Sequence, residues 1–314
     1  MFMLNYPFVE LDRQRDRRRR VPTALITWMV IVVVGIVALS LIGLKLFTSP
    51  IVTKVNPFPS ASSYTMSSIH NASLSSLEKT GAYEVPDLGT PAKLNNQATL
   101  LGRPTNAQDT QDTNSNVKEL PEVAFVGSEY CPYCAAASWP MVIALSRFGS
   151  FDKLKVATSS SSETFSGING FSFYMVSYNS RYIYFDGTEE ASSVPSSNPY
   201  SGFTPFSQPV NNLMPLMRRY DQPPFTSSAK AGELPFIDIA NKDIFSGALF
   251  PANLLGGKGY GTVAYDISHP SRSYTGQAVI TSANMLTASI CTATNNMPEN
   301  VCNSPAIHQA SALL

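Results

Sequence analysis

Glu122-Val123-Ala124-Phe125-Val126-Gly127-Ser128-Glu129-Tyr130-Cys131-Pro132-Tyr133-Cys134 is the stretch on which the reading of this chain turns. Residues 122–127 form a short apolar run rich in β-formers, suited to a buried strand. Two thiols three apart then open a helix expected over 134–148. Ala135, Ala136 and Ala137 favour it, and Trp139, Val142, Ile143 and Leu145 supply its apolar series before Gly149. Pro132 stands where a first-turn N–H would be unpaired anyway and presets φ for the helix. The N–H groups of a helix start stabilise a thiolate, and the thiolate is the attacking species in thiol–disulfide exchange. Cys131 is therefore the expected nucleophile and Cys134, one turn in, the resolving thiol. Tyr130 and Tyr133 offer apolar surface to a substrate chain. Glu129 reads foremost as a solvated loop charge, with proton acceptor for Cys134 as its other reading.

Two other uses of the pair are open. Zinc would need two further ligands, yet Cys291 and Cys302 are the only other cysteines, and His70, His269 and His308 share no spacing with them. A purely structural bridge across Cys131 and Cys134 is sterically uncommon. Neither a metal nor another cofactor is expected. Cys291 and Cys302 read as a separate structural disulfide between the last helix and the C-terminal tail, contributing about 3 kcal/mol by loop closure.

The formal net charge is zero, but six arginines fall within residues 1–20. Val21 to Leu44 is apolar, broken only by small or weakly polar residues. Its length reaches about 36 Å, enough to cross a bilayer core of about 30 Å. Arginines on the N-terminal side alone place residues 1–20 in the cytoplasm, a transmembrane helix over 21–47, and everything beyond outside the cell membrane. A cleaved signal peptide would need a shorter apolar run and a prompt small-x-small site. Beyond the span, acidic residues slightly outnumber basic ones, so nothing suggests nucleic-acid binding. An oxidising, extracytoplasmic location suits the cysteine usage.

Residues 48–118 read as a Ser/Thr/Asn/Pro-rich linker, partly ordered, with a short helix over Ser73–Lys79 and a short strand over Gln97–Leu101. Asn71-Ala72-Ser73 is the one ordinary N-x-S/T acceptor, making Asn71 a glycosylation candidate. From 119 to 314 the texture is that of a folded α/β domain. Strands are expected at Leu154–Ala157, Phe171–Val176 and Tyr182–Phe185, the last two forming a hairpin around Asn179-Ser180. Residues 159–230 read as an insertion, with seven prolines between Thr188 and Ser228 and one short helix over Asn211–Tyr220. Leu234–Ile239 and Asp243–Phe250 are partner strands, and an amphipathic helix covers Thr275–Thr292. The glycine-rich run Gly256–Gly261 lacks the spacing of a phosphate loop and reads as a flexible turn. A central mixed sheet flanked by helices follows from this order of elements.

A strand, then Cys131-Pro132-Tyr133-Cys134 opening a helix, then a later Leu234-Pro235-Phe236 strand resembles the thioredoxin-like superfamily. The Cys-Pro-Tyr-Cys motif is similar to that of glutaredoxins and of disulfide-forming periplasmic oxidoreductases. The segments Glu129–Ala136, Ala144–Gly149, Pro235–Lys242 and the tails around Cys291 and Cys302 resemble a family of archaeal membrane-anchored thioredoxin-like proteins, carried as a domain of unknown function. The resemblance implies a thioredoxin-like fold in which Pro235 is a cis-proline against the dithiol, with Leu234 beside it in the substrate groove. Tyr130 in place of tryptophan, and Pro140 one residue later than the usual helix proline, are departures.

These readings lead to a membrane-anchored thiol–disulfide oxidoreductase, acting on cysteine-containing secreted or surface proteins and served by a membrane redox partner, with the lipid bilayer as anchor. The alternative is a non-catalytic accessory subunit of a membrane complex, for example in protein glycosylation, that holds peptide segments.

Overall fold

In the computed structural model, Glu122–Gly127 is the strand expected of it and lies second from one edge of a five-stranded sheet. The structure describes residues 60–75, 92–93, 120–198, 202–206 and 213–314, all within one compact unit spanning 58–314. The arginine-rich start, the apolar segment 21–47 and the expected strand at Gln97–Leu101 lie outside the described residues. Among those described, no helix is long and apolar enough to cross a membrane.

The elements, in chain order, are α1 (Ser63–Ser75), β1 (Ala92–Lys93), β2 (Glu122–Gly127), α2 (Pro132–Ser146), β3 (Gly149–Phe151), β4 (Lys155–Thr158), β5 (Asn169–Ser172), β6 (Tyr178–Ser180), β7 (Tyr184–Glu189), β8 (Ala191–Pro195), β9 (Phe203–Pro205), α3 (Met214–Tyr220), β10 (Phe236–Ile239), β11 (Asp243–Ser246), α4 (Tyr260–Ser268), α5 (Tyr274–Ala293), α6 (Glu299–Cys302) and α7 (Pro305–Ser311). The central sheet has the order β1-β11-β10-β2-β7. β2 runs parallel to β7, pairing Val123 with Phe185 and Gly127 with Glu189. β10 is antiparallel to both β2 and β11. The sheet is mixed, and helices cover both faces.

Alternation along β2 assigns the faces. Val123 and Phe125 join the larger core with α2, α4 and α5, while Ala124 and Val126 pack with Leu216, Met217 and Tyr220 of α3. α2 has no solvent face, since thirteen of its fifteen residues are buried. Trp139 is fully buried and donates from Nε1 to the Asn169 carbonyl at 2.8 Å, and the Ser138 hydroxyl accepts the Phe171 N–H at 2.8 Å. These bonds dock β5 directly on the helix. Gly170 makes the approach possible, because a Cβ there would fall 2.4 Å from the Ala135 carbonyl oxygen. At the far end of α2 the buried Arg147 donates to the Ala283 carbonyl and the Thr287 hydroxyl of α5. Burial pushes its guanidinium down to about 9.

Several expectations need correcting. The segment read as linker contributes α1, which packs on α4 and α2, with Ile69 fully buried. Ser60 and Ala61, in a stretch read as solvated, pair with Lys155 and the Leu154 carbonyl, and the Ser62 hydroxyl caps Thr65 N–H. The helix thus begins at Ser63, ahead of the expected Ser73, while residues 76–79 lie outside the described residues. No hairpin joins 171–176 to 182–185. β5 pairs with β4, and residues 178–180 pair with β3, held there by Tyr178 and Ser180 hydroxyls on the Leu145 and Phe148 carbonyls. β7, inside the stretch read as insertion, is a core strand. The glycine-rich run is a turn only to Gly259, since α4 starts at Tyr260.

The Gly170 contact gives a direct test. Gly170→Ala forces backbone apart at the α2–β5 contact and is expected to cost about 2 kcal/mol, the usual range for overpacking. A denaturant midpoint equal to that of the parent chain would contradict the close approach of β5 to α2 at Gly170.

Candidate active site

β2 ends at Gly127 and delivers the chain into a tight turn, where Cys131 N–H bonds to the Ser128 carbonyl at 3.1 Å. Cys131 is extended, at φ −76° and ψ 122°, and is the N-cap of α2. Its Sγ accepts the Cys134 N–H at 3.3 Å, the bond that a Ser or Asp oxygen makes at an ordinary helix start. Both thiols are free and buried, Cys131 at 7 % exposure and Cys134 at 3 %.

The two sulfurs are electrostatically unequal. The Cys134 thiol and the Cys134 and Tyr133 backbone N–H groups lower Cys131 below the ordinary cysteine value, and burial opposes them without cancelling them. Cys134 lies well above that value, because burial and the neighbouring Cys131 and Glu189 all disfavour its charge. Deprotonation therefore falls on Cys131 and a proton stays on Cys134, the arrangement a nucleophile and a resolving thiol require.

Leu234–Pro235 is a cis peptide, and the Leu234 carbonyl lies 4.0 Å from Cys131 Sγ. The structure thus brings together Cys131, Cys134, Leu234 and Pro235, which are about a hundred residues apart in sequence. A groove of about 750 Å³ opens on Cys131, lined among others by Tyr130, Tyr133, Leu234, Phe165 and Lys230. Tyr133 is 36 % exposed and meets Phe165 edge to face at 5.8 Å, while Tyr130 stacks on Phe203 at 4.2 Å.

Glu129 departs from its leading expectation. It is buried, not solvated, and burial raises it to about 7, an effect that Ser172, Lys155 and Ser193 only partly offset. Glu189, a residue passed over in the sequence, is buried beside Gly127 on β7, and burial holds it well above the carboxylate range. Its only sequence signal was strand alternation, which puts Phe185, Gly187 and Glu189 on one face. Phe165, Phe203 and Lys230 carried no such signal, because loops bring them to the groove.

Cys291 and Cys302 form a disulfide joining α5 to α6, away from the dithiol in sequence and buried. Asn71 lies on the exposed side of α1. Among the described residues no cluster of three or more His, Cys, Asp or Glu side chains is arranged to hold a metal ion.

Fold and site define a class: a mixed α/β domain whose parallel strand pair feeds a free dithiol into a helix N-terminus against a cis-proline turn. More particularly, the chain belongs to the DUF929 family, a domain of unknown function, which matches residues 107–292. Neither the curated proteins nor the solved structures yield a significant match to the chain.

Burial of Glu129 has a measurable consequence for stability. Its acid form is favoured in the fold, so the folded state binds more protons than the unfolded one between the ordinary value of 4.5 and about 7. The cost is absent below that window, grows as pH rises through it and is constant above. Glu129→Gln is therefore expected to stabilise the chain by about 1–3 kcal/mol at about pH 8 and by nothing at about pH 4. Denaturant unfolding at the two pH values checks this, and equal effects at both would mean that the carboxyl is not buried in its acid form.

Proposed function

We propose that the chain is a membrane-anchored, extracytoplasmic thiol–disulfide oxidoreductase of thioredoxin-like type, an oxidant or isomerase of secreted or surface proteins. The observation carrying this reading is the inequality of the two sulfurs at the start of α2: a thiolate-favouring Cys131 at the mouth of a groove, with a protonated Cys134 behind it. The apolar segment Val21–Leu44 behind its arginine run, and the buried Cys291–Cys302 disulfide, support the anchor and the oxidising compartment.

In the oxidising direction the Cys131–Cys134 disulfide is the electron acceptor. A substrate thiolate attacks Cys131 Sγ, the internal S–S bond breaks, and Cys134 leaves as a thiolate that takes up a proton. The second substrate thiolate then attacks the mixed disulfide at the substrate sulfur, a substrate disulfide forms, and Cys131 leaves as a thiolate. Two electrons have passed from the substrate dithiol to the enzyme, and a disulfide-bearing membrane redox partner accepts them in turn. A stabilised Cys131 thiolate favours the reduced enzyme, which makes its disulfide an oxidant. The Leu234–Pro235 turn lines the groove where a substrate backbone would lie during the mixed-disulfide stage.

Titrating the Cys131 thiol in a Cys134→Ser chain is expected to give a value below the ordinary one of about 8.5. The same variant should retain substrate proteins as mixed disulfides, released by reductant and absent with Cys131→Ala. An ordinary Cys131 and no captured protein would end this reading. Function surviving Cys131→Ala in the cell, with integral-membrane proteins co-purifying, would favour the accessory-subunit reading instead.

A further inference from the structure

Arg147 is a buried cation without a counter-charge. It stands just beyond α2 and is 7 % exposed. Its Nη1 donates to the Ala283 carbonyl at 3.3 Å and to the Thr287 hydroxyl at 2.6 Å, both on α5. Its Nε and Nη2 are buried as well and have no protein partner. The two helices that it joins cannot balance it, since neither Pro132–Ser146 nor Tyr274–Ala293 contains Asp or Glu. β3 and β6, which bond to the end of α2, contain none either. Burial is the sole cause of the shift of its guanidinium, and among the described residues no charged group acts on it.

Neutral neighbours do not resolve this. A helix C-terminus offers a cation only about half an elementary charge, through its unpaired carbonyls. At the end of α2 those carbonyls are already engaged. Ala144 accepts the Arg147 N–H at 3.1 Å, Leu145 accepts the Phe148 N–H and the Tyr178 hydroxyl, and Phe148 accepts the Ser180 hydroxyl. The guanidinium reaches away from them to α5. A neutral acceptor of any kind would satisfy Nε and Nη2 but leave the charge unbalanced, and an unpaired charge in an apolar core is the larger cost. Burial lowers the guanidinium only to about 9, so at neutral pH it stays charged. Its free edge is one side of the planar fork, two parallel N–H groups that a single anion can accept together. On α5, Thr281, Asn284 and Thr287 follow at three-residue spacing, a fully buried polar stripe that ends at the guanidinium, and the Thr281 hydroxyl has no partner.

We propose that Arg147 forms a buried small-anion site between the end of α2 and α5, taking a monovalent ion of halide, nitrate or formate size on its Nε–Nη2 edge. The ion supplies the charge that the surrounding helices lack. It binds the folded chain and not the unfolded one, because only folding removes the guanidinium from water, so stability rises with the concentration of the ion. The site stands independently of the oxidoreductase reading. The two meet through α2, which carries the dithiol at its start and Arg147 just past its end.

The test unfolds the purified full-length chain with urea at neutral pH and fixed ionic strength, while sodium gluconate is replaced stepwise by sodium chloride, nitrate or formate. Gluconate is too large for a closed site and serves as the reference salt. For at least one of the small anions the unfolding equilibrium constant is expected to fall about tenfold for each tenfold rise in concentration above its dissociation constant. Which anion acts separates a halide from a planar oxyanion. Arg147→Met should abolish the response. Arg147→Lys, which keeps the charge but not the fork, should weaken the apparent affinity by about tenfold or more, and it serves as the second variant where the Met chain does not fold. A parent chain equally stable in gluconate and in all three small anions would overturn the site, and that measurement needs no variant. An unchanged response in Arg147→Met, or an unchanged affinity in Arg147→Lys, would overturn it too.

Discussion

The burial of α2 is the constraint from which the rest of the structure follows. A helix with an exposed face can slide or tilt at little cost, but thirteen of the fifteen residues of α2 are buried. β5 closes one side through Trp139, Ser138 and the Gly170 contact, and α5 closes another through Arg147. The helix start is therefore held in place relative to β2 and β10. That is why a cap residue, Cys131, ends up against a backbone turn a hundred residues away with no direct bond of ordinary length between them. The carbonyl of Leu234 lies 4.0 Å from the sulfur, in contact but without a short hydrogen bond to it.

With the helix start fixed, the chemistry of the two thiols is a matter of position. The N-cap site collects N–H groups and the Cys134 thiol around Cys131, whereas at Cys134 desolvation and the neighbouring Cys131 and Glu189 outweigh a backbone hydrogen bond from Ser128. The same residue type one turn apart thus acquires opposite tendencies. Gly127 matters here for what it lacks: its absent side chain is the space that Cys134 and the Phe125 ring occupy. The carboxyls of Glu129 and Glu189 lie buried in the same region, and desolvation holds both above the carboxylate range.

The inserted segments shape access. β8 and β9 carry Phe203 onto Tyr130, and the loop before β5 carries Phe165 onto Tyr133, so both tyrosines flanking Cys131 are braced by aromatic rings from elsewhere. The groove is consequently walled by residues whose identity follows no local pattern. Lys230 and Glu233 add the only charged side chains among its lining residues.

Local sequence was sufficient to place β2, α2, β10 and α5, because breakers bound each run, although α5, expected to be amphipathic, is buried on every face from Ala278 to Cys291. The place of Cys131 and Cys134 at the start of α2 was legible for the same reason, since spacing at a helix start is a local property. Contacts between distant segments were not. The hairpin expected around Asn179-Ser180 lost to β3–β6 and β4–β5 pairing, since short polar strands take their partners from what they pack on. α1 was hidden by a Ser-rich composition whose burial comes from α4 and α2, not from its own pattern. Glu129 looked like a surface charge because nothing in its neighbours tells a buried turn from a solvated one. Sequence by itself determined the dithiol, the strand and helix that frame it, and the cysteine pair of the C-terminal tail. Only the tertiary structure decided that Leu234–Pro235 faces the thiols and that two carboxyls lie beneath them, because register and desolvation arise when separate segments meet.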